Sequence, residues 1–247
     1  MSFKDHFSSR SADYAAYRPT YPGALADYLA DLCADPNVAL DVGCGTGQLS
    51  VLLAERFGRV IATDASAQQI EKAEPHGRVQ YRVAPAEHSG LPDASVDLVT
   101  AAQAAHWFDL PAFYAEVRRV GQPGAVLALI TYGVVQADPE VDPVIGHFYK
   151  DVVGPYWPPE RRHVEEGYRA FDFPFREFAG PPLAIEVHWR AADMIGYADT
   201  WSAVRGAEKV LGREPVEDFR RTLLDAWGDP ERTRTIRFPL SFRIGRI

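Results

Sequence analysis

Short apolar runs alternate with amphipathic segments along the first half of the chain. The β-type runs cover residues 38–44, 59–64, 79–84, 96–102 and 125–132. Most of these runs are too continuously apolar to keep one face in water, which is typical of parallel strands buried on both faces. Apolar side chains at helical spacing predict helices over residues 22–33, 47–57 and 110–120. This alternation predicts an α/β fold in which helices cover a parallel sheet.

The pattern changes in the second half of the chain. Residues 136–182 are rich in proline and aromatic side chains but show little periodicity, so we expect an irregular cap or insertion. Beyond it, residues 184–190 and 235–244 alternate apolar and polar positions, as antiparallel strands do. Helical segments lie between them, around residues 192–211 and 216–227. The predicted regions are a core of residues 1–135, a cap of residues 136–182, and C-terminal helices and strands of residues 183–247 that complete the sheet.

The composition narrows the classes of partner. The chain of 247 residues carries 26 Lys and Arg against 34 Asp and Glu, a formal charge of −8. Binding to nucleic acids and anionic membranes depends mostly on Lys and Arg, so neither partner is expected, although one local arginine is enough for a small anionic substrate. We expect neither a signal peptide nor a membrane span, since no apolar run of the required length occurs, and the two cysteines favour a reducing compartment. We expect a cytoplasmic monomer or weak dimer that acts on a small molecule.

The strongest candidate site is the glycine-rich stretch DVGCGTG at residues 41–47, which ends the first predicted strand and leads into a helix. Gly43, Gly45 and Gly47 let the backbone turn sharply and let a ligand approach closely, while the helix N-terminus offers unpaired N–H groups. Asp64 ends the second predicted strand, where its carboxylate can accept hydrogen bonds from both hydroxyls of a ribose. Together these residues predict a nucleoside site, and a plain tight turn is the alternative.

The spacing of the glycines bears on which nucleotide is bound. The dinucleotide fingerprint GxGxxG needs a glycine at position 48, and that position is Gln48. The spacing therefore argues against a loop that binds a pyrophosphate. An NAD(P)-dependent oxidoreductase is kept only as an alternative. The seven histidines show neither HxxxH nor HExxH spacing, so we expect no metal site.

Four segments of the predicted core carry a family likeness: DVGCGTG at 41–47, ATDAS at 62–66, APAEHSGLPDASVDLV at 84–99 and EVRRVGQPG at 116–124. Over about residues 14–132 the sequence resembles the class I S-adenosylmethionine (SAM) dependent methyltransferases with a type 11 methyltransferase domain. A narrower resemblance, to the branch that includes trans-aconitate methyltransferase, lies in RPTYP at 18–22, QAAHWFD at 103–109 and GPYWPPERR at 154–162. The family implies a Rossmann-like, doubly wound, mostly parallel seven-stranded sheet with helices on both faces and a cap insertion.

The resemblance also implies SAM as the cofactor and S-adenosylhomocysteine (SAH) as the product. Gly43, Gly45 and Gly47 would line the methionine part of SAM, with the Asp41 carboxylate near its ammonium. The other implied cofactor contacts are Asp64 on the ribose diol, Ala65 against the adenine, Ala86 and Glu87 at the adenine's amino edge, and Gln103 near the sulfonium. SAM carries a sulfonium and an ammonium but no phosphate, so its pocket needs acidic and carbonyl groups more than a pyrophosphate cradle.

Candidate substrate residues follow the fourth predicted strand and precede the first helix. His106 is a candidate general base, since an unperturbed imidazole titrates near pH ~6.5, and it could equally position the substrate or form part of the wall. Trp107 could pack in the core or offer its face to the sulfonium or the substrate. Tyr14 and Arg18 could form a lid with an anion clamp, or be surface residues with structural roles. Weaker candidates for an anion clamp are Arg161, Arg162 and His163 in the cap.

The leading hypothesis is a SAM-dependent methyltransferase that acts on a small molecule. A carboxylate acceptor is already ionised at neutral pH, whereas an amine or a phenol would give His106 a proton to remove. The branch resemblance favours a small carboxylic acid, and hence O-methylation. Two alternatives stay open: an NAD(P)-dependent oxidoreductase, and a non-catalytic protein that binds SAM.

Overall fold

A computed structural model of the chain describes residues 19–247. The strands of this part are β1 (Val38–Val42), β2 (Arg59–Asp64), β3 (Val79–Val83), β4 (Val96–Ala102), β5 (Gly121–Tyr132), β6 (Arg176–Phe178), β7 (Ala184–Trp189) and β8 (Arg234–Arg246). Its α-helices are α1 (Gly23–Asp31), α2 (Gln48–Leu53), α3 (Ala67–Glu71), α4 (Leu110–Val120), α5 (Asp142–His147), α6 (Arg161–Glu165), α7 (Ala191–Asp199), α8 (Ser202–Leu211) and α9 (Glu214–Trp227). Shorter helical turns are the 3-10 helices Ala105–Trp107 and Gly154–Tyr156 and the π-helix Phe148–Val152.

The strands form a sheet in which seven lie side by side, in the order β3-β2-β1-β4-β5-β8-β6. Strands β1 to β5 are parallel, whereas β8 pairs antiparallel with β5 on one side and with β6 on the other. The N-terminal half of β8 pairs with β7, for example through Phe238 opposite Ile185. Chain order reverses between β1 and β4, and in open α/β sheets ligands bind outside the carboxyl ends of the strands at such a reversal.

Elements with strong local patterns lie where the sequence predicts them. The bounds of β2, β4 and α4 match the prediction, and β1, β3 and α1 are slightly shorter than predicted. Helix α2 is about half as long as predicted, because it ends at Leu53 rather than at Phe57. β5 begins at Gly121 rather than at Ala125. The helical segment predicted over 192–211 is two helices, α7 and α8. The sheet has one strand more than predicted. The additional strand is β6, which lies inside region 136–182, where no periodicity indicates a strand.

Both faces of the sheet are buried, as the continuous apolar pattern predicts. In β5, Ala128 and Ile130 belong to one core cluster, while Leu127 and Leu129 belong to the other. Successive side chains of a strand point to opposite faces, so this division places a core on each side. Residues of α1, α2 and the C-terminal helices fill the first cluster, and residues of α4 and the cap fill the second.

The cap and the C-terminal helices share the first cluster with the sheet. Phe148 of the cap stacks on Phe219 of α9 with ring centroids 4.0 Å apart. Trp227 of α9 and Ile244 of β8 belong to the same cluster. Both regions therefore join the sheet through continuous apolar contact. Within residues 19–247, no helix combines the length and the apolar character needed to cross a bilayer.

Candidate functional site

The glycine turn after β1 adopts a backbone that favours glycine. Gly43, Gly45 and Gly47 have φ values of 68°, 58° and 92°, in the left-handed region. A Cβ at Gly43 would lie 2.5 Å from the Cβ of Ala104, and one at Gly47 would clash with the hydroxyl of Tyr81. The turn therefore runs close to the end of β4 and to β3, and side chains are excluded at both positions.

Asp64 at the end of β2 faces this turn. Its Oδ2 accepts a hydrogen bond from the backbone N–H of Gly45 at 2.9 Å, and its Oδ1 accepts one from the N–H of Ser66 at 2.8 Å. An ionised carboxylate offers about four lone-pair positions, so each oxygen keeps acceptor capacity for a second donor. Asp64 thus orients the glycine turn and can still accept hydrogen bonds from a vicinal diol.

A cavity of about 1100 Å³ opens at the carboxyl ends of the parallel strands. The predicted site residues that line it are Asp41, Gly43, Gly45, Asp64, Ala65, Ala86, Glu87, Gln103 and Trp107. Gly47 and His106 lie outside the lining: Gly47 is the N-cap of α2 and lies against Tyr81, and His106 turns towards the cap. Tyr14 and Arg18 fall outside the described residues, so their lid role stays a prediction.

Several lining residues were missed by sequence reasoning. Ser66 and Gln69 come from the start of α3, Tyr132 ends β5, and Glu160 comes from the cap. The rule that ligands bind at carboxyl strand ends could have found Tyr132. Glu160 had no such signal, because a long and irregular segment carries it to the cavity.

Asp41 lies beneath the turn and joins three elements. Its carboxylate accepts hydrogen bonds from the hydroxyls of Ser50 in α2, at 2.6 Å, and Thr100 in β4, at 2.8 Å. Burial raises the pKa of Asp41 to about 6, the two hydroxyl hydrogen bonds oppose that rise, and the nearby charge of Asp64 adds to it. Asp41 fixes the geometry of the turn, and its contact with the ammonium of SAM stays a prediction.

Gln103 follows β4 in a left-handed conformation, with φ 55°. Its side-chain amide donates to the carbonyl of Tyr132 at 2.8 Å and accepts from the hydroxyl of Thr131 at 2.9 Å. A non-glycine residue in this region costs about 1–3 kcal/mol, and such strain concentrates at functional sites. These two hydrogen bonds to β5 hold Gln103 in place at the cavity wall.

The predicted adenine edge is tied to the start of α4. Glu87 accepts a hydrogen bond from the backbone N–H of Asp109 at 2.9 Å. The side chain of Asp109 in turn caps α4, accepting from the N–H of Ala112 at 3.3 Å. The loop after β3 and the loop after β4 therefore hold one wall of the cavity together.

His106 connects the cofactor side of the site to the cap. Its Nδ1 lies 2.9 Å from the hydroxyl of the buried Tyr168, and its ring lies 4.8 Å from that of Trp107. Burial lowers the pKa of His106 to about 3, and the charges of Arg161 and His163 lower it further. The imidazole is therefore neutral at neutral pH and is a weak base.

The charge of the cavity distinguishes ligands that carry phosphate from SAM, which is positively charged at its sulfonium and ammonium. Five acidic residues line it: Asp41, Asp64, Glu87, Asp109 and Glu160. Within the described range, residues 19–247, the lining includes no Lys and no Arg. Such a wall repels phosphates and suits the sulfonium and ammonium of SAM, and the contact of Asp64 with the ribose diol stays a prediction. The reversed strand order, the glycine turn and this acidic cavity define a nucleoside-binding α/β enzyme of the methyl-transferring class.

Comparison with known proteins agrees with this class. A methyltransferase domain model matches residues 40–129. A Dictyostelium discoideum protein described as a methyltransferase is 35% identical over 229 residues, which cover 91% of this chain and 87% of that protein. A solved structure described as a type II methyltransferase from Anaeromyxobacter dehalogenans is 50% identical, with a TM-score of 0.89, over 93% of this chain and 97% of that one. The chain therefore belongs to the class I SAM-dependent methyltransferases.

Membership settles the alternatives that the sequence left open. The protein is an enzyme, and SAM is its methyl donor, so neither the oxidoreductase nor the non-catalytic binding protein holds. A further relative is the malonyl-[acyl-carrier protein] O-methyltransferase of Dechloromonas aromatica, which is 30% identical over 205 residues. That match covers 81% of this chain and 71% of the relative.

Proposed function

We propose that the protein transfers the methyl group of SAM to a carboxylate oxygen of a small molecule. The observation that carries this proposal is the state of His106, which is half-buried, neutral and bonded to Tyr168. An amine or a phenol would need a base of suitable pKa beside the methyl group. A carboxylate is already ionised and needs only to be positioned.

Two resemblances support a carboxylate acceptor. The relative from Dechloromonas aromatica is named for O-methylation of a malonyl group. The segments RPTYP at 18–22 and QAAHWFD at 103–109 resemble the branch that includes trans-aconitate methyltransferase. Both names describe methylation of a carboxyl-bearing compound.

The residues of this chain would act mainly by alignment. Bound SAM supplies an electrophilic methyl on its sulfonium; a new O–CH₃ bond forms as the S–CH₃ bond breaks, leaving a methyl ester and SAH. Asp64 would accept hydrogen bonds from the ribose hydroxyls, and the turn at Gly43 leaves room for the methionine part. Trp107 and Phe108 line the same cavity and would exclude water from the reacting oxygen. In this scheme His106 helps to position the acceptor through Trp107, its neighbour in the cavity wall.

The chemistry of the product tests this proposal. The protein is incubated with SAM labelled in its methyl group and with a panel of small carboxylic acids, using the matching carboxamides as controls. We expect label in products that release methanol in mild alkali, because methyl esters hydrolyse there and N-methyl or C-methyl groups do not. Label found only in alkali-stable products, or equal transfer to the carboxamides, contradicts carboxyl O-methylation.

A further inference from the structure

A second cavity, of about 730 Å³, lies in the cap. Its walls include Tyr149, Trp157, Arg161 and Glu165. Glu160 lines both this cavity and the cofactor cavity, so the two spaces meet at that residue. Helix α6 also packs against the 3-10 helix that carries the predicted substrate residues. The second cavity is thus placed to hold a part of the acceptor that extends away from the transferred methyl group.

Arg161 contributes a positive charge to this cavity. Its Nε donates to the hydroxyl of Tyr149 at 2.8 Å, and its guanidinium lies over the rings of Trp157 and Tyr149, 4.9 and 5.7 Å from their centroids. The Tyr149 hydroxyl donates onward to Glu165 at 2.6 Å. Among the described residues, no carboxylate forms an ion pair with Arg161, and its two terminal nitrogens have no hydrogen-bond partner.

Two other arginines, one in the cap and one in β8, do lie close to a carboxylate. Arg162 is 72% exposed in its side chain and lies 3.6 Å from the carboxylate of Glu166. Arg243 of β8 pairs with Glu177 at 2.5 Å. Stacking on two aromatic rings holds the Arg161 guanidinium in one place, so little further order is lost when its terminal N–H groups bind an anion. The charge of Arg161 also reaches His106, where it helps to lower the pKa of the imidazole.

We propose that Arg161 forms a subsite for a second carboxylate of the acceptor, one that is not methylated. This inference rests on the proposed carboxylate methylation. A guanidinium pairs with a carboxylate through two parallel hydrogen bonds, which fits two terminal nitrogens that have no partner within residues 19–247. The reacting oxygen belongs in the cofactor cavity, and Arg161 lines only the other one. Glu160 and Glu165 line the same space and would repel a doubly charged phosphate, so a carboxylate fits better.

Calorimetry on the protein saturated with SAH tests the subsite directly. The probes are linear dicarboxylates from succinate to suberate, their diamides, and inorganic phosphate. We expect at least one dicarboxylate to bind and Arg161→Gln to weaken it at least tenfold, with Arg161→Lys intermediate because it keeps the charge but not the fork. Arg169→Gln removes the same charge from an exposed position of the cap that lies outside the cavity lining, and it should change affinity less than twofold. Equal SAH affinity in all variants shows that each has folded.

Several results would overturn the subsite. They are the absence of binding by any dicarboxylate to the wild type, unchanged affinity in Arg161→Gln, equal weakening in Arg169→Gln, and binding of phosphate or the diamides as tight as that of the acids. The outcome is separable from that of the proposed function. Esterification of a dicarboxylate that Arg161→Gln leaves unchanged supports the function and removes the subsite. Dicarboxylate binding through Arg161 without esterification keeps the subsite and removes the function.

Discussion

The Asp41 carboxylate is buried at the junction of β1, α2 and β4, and its protonation is linked to folding. Its pKa is raised from 3.8 to about 6, so Asp41 contributes stability below about pH 3.8 that is lost as the pH rises through about 6. Asn at this position does not titrate. Between pH 4 and pH 7 we expect the free energy of unfolding of the wild type to fall, relative to Asp41→Asn, by up to roughly 3 kcal/mol.

Urea unfolding at several pH values measures this difference. Asp225→Asn, on the exposed side of α9, serves as the control, and its difference from the wild type should vary by less than about 0.5 kcal/mol. If the free energies of unfolding of the wild type and of Asp41→Asn change with pH in parallel, the carboxylate has the same pKa in the folded and the unfolded chain. A difference that grows in the opposite direction would mean that the hydrogen bonds from Ser50 and Thr100 outweigh burial.

At the scale of elements, the 3-10 helix after β4 is joined to the cap by the hydrogen bond between His106 and Tyr168. Because the pKa of His106 is lowered from 6.5 to about 3, the imidazole stays neutral from pH 5 to pH 8. We expect His106→Asn, which can keep the bond to Tyr168 but lacks Nε2, to lower kcat/KM about tenfold without changing the shape of the pH profile. Steady-state kinetics over this pH range provide the measurement.

Tyr168→Phe is the companion variant, because it removes the hydroxyl and keeps the buried ring. We expect it to lower kcat/KM in the same direction and to leave SAH affinity unchanged. An inflection near pH 6.5 that is present in the wild type and absent in His106→Asn would restore the general-base role and refute positioning.

Elements and site residues were predictable from sequence where their signal is local. β2 and β4 are continuous apolar runs, and the turn at Gly43 with Asp64 is readable because glycine and an acidic side chain suit their positions whatever surrounds them. β6 has three residues and exists through pairing with β8, almost seventy residues away, so no local pattern marks it. Arg161 and Arg162 are adjacent and chemically alike; only tertiary packing makes one stacked and the other exposed.

At the scale of the whole molecule, the described parts of the predicted regions 1–135, 136–182 and 183–247 meet in a shared core, so we propose that they unfold as one unit. Ile244 of β8 is fully buried between β5 and β6. Ile244→Ala should cost about 2–5 kcal/mol and lower the Tm by roughly 5–15 °C. Far-UV circular dichroism and tryptophan fluorescence should report the same transition, before and after the substitution.

Val210→Ala provides the control for this substitution, since Val210 is 68% exposed on α8 and its truncation should change stability by less than about 0.5 kcal/mol. Two separated transitions, with only the fluorescence of the C-terminal tryptophans shifted by Ile244→Ala, would show instead that the C-terminal region unfolds independently.

Insertion of β8 between β5 and β6 has a consequence for how the molecule behaves at high concentration. Because β8 lies between them, the edge strand on this side of the sheet is the three-residue β6 and not the twelve-residue β5. The edge strand on the opposite side is β3, which has five residues, and the Arg82 side chain donates a hydrogen bond to that of Gln80 there. Short edge strands with polar side chains are poor templates for the addition of a strand from another chain. In the described part of the molecule the sheet is thereby protected against edge-to-edge aggregation.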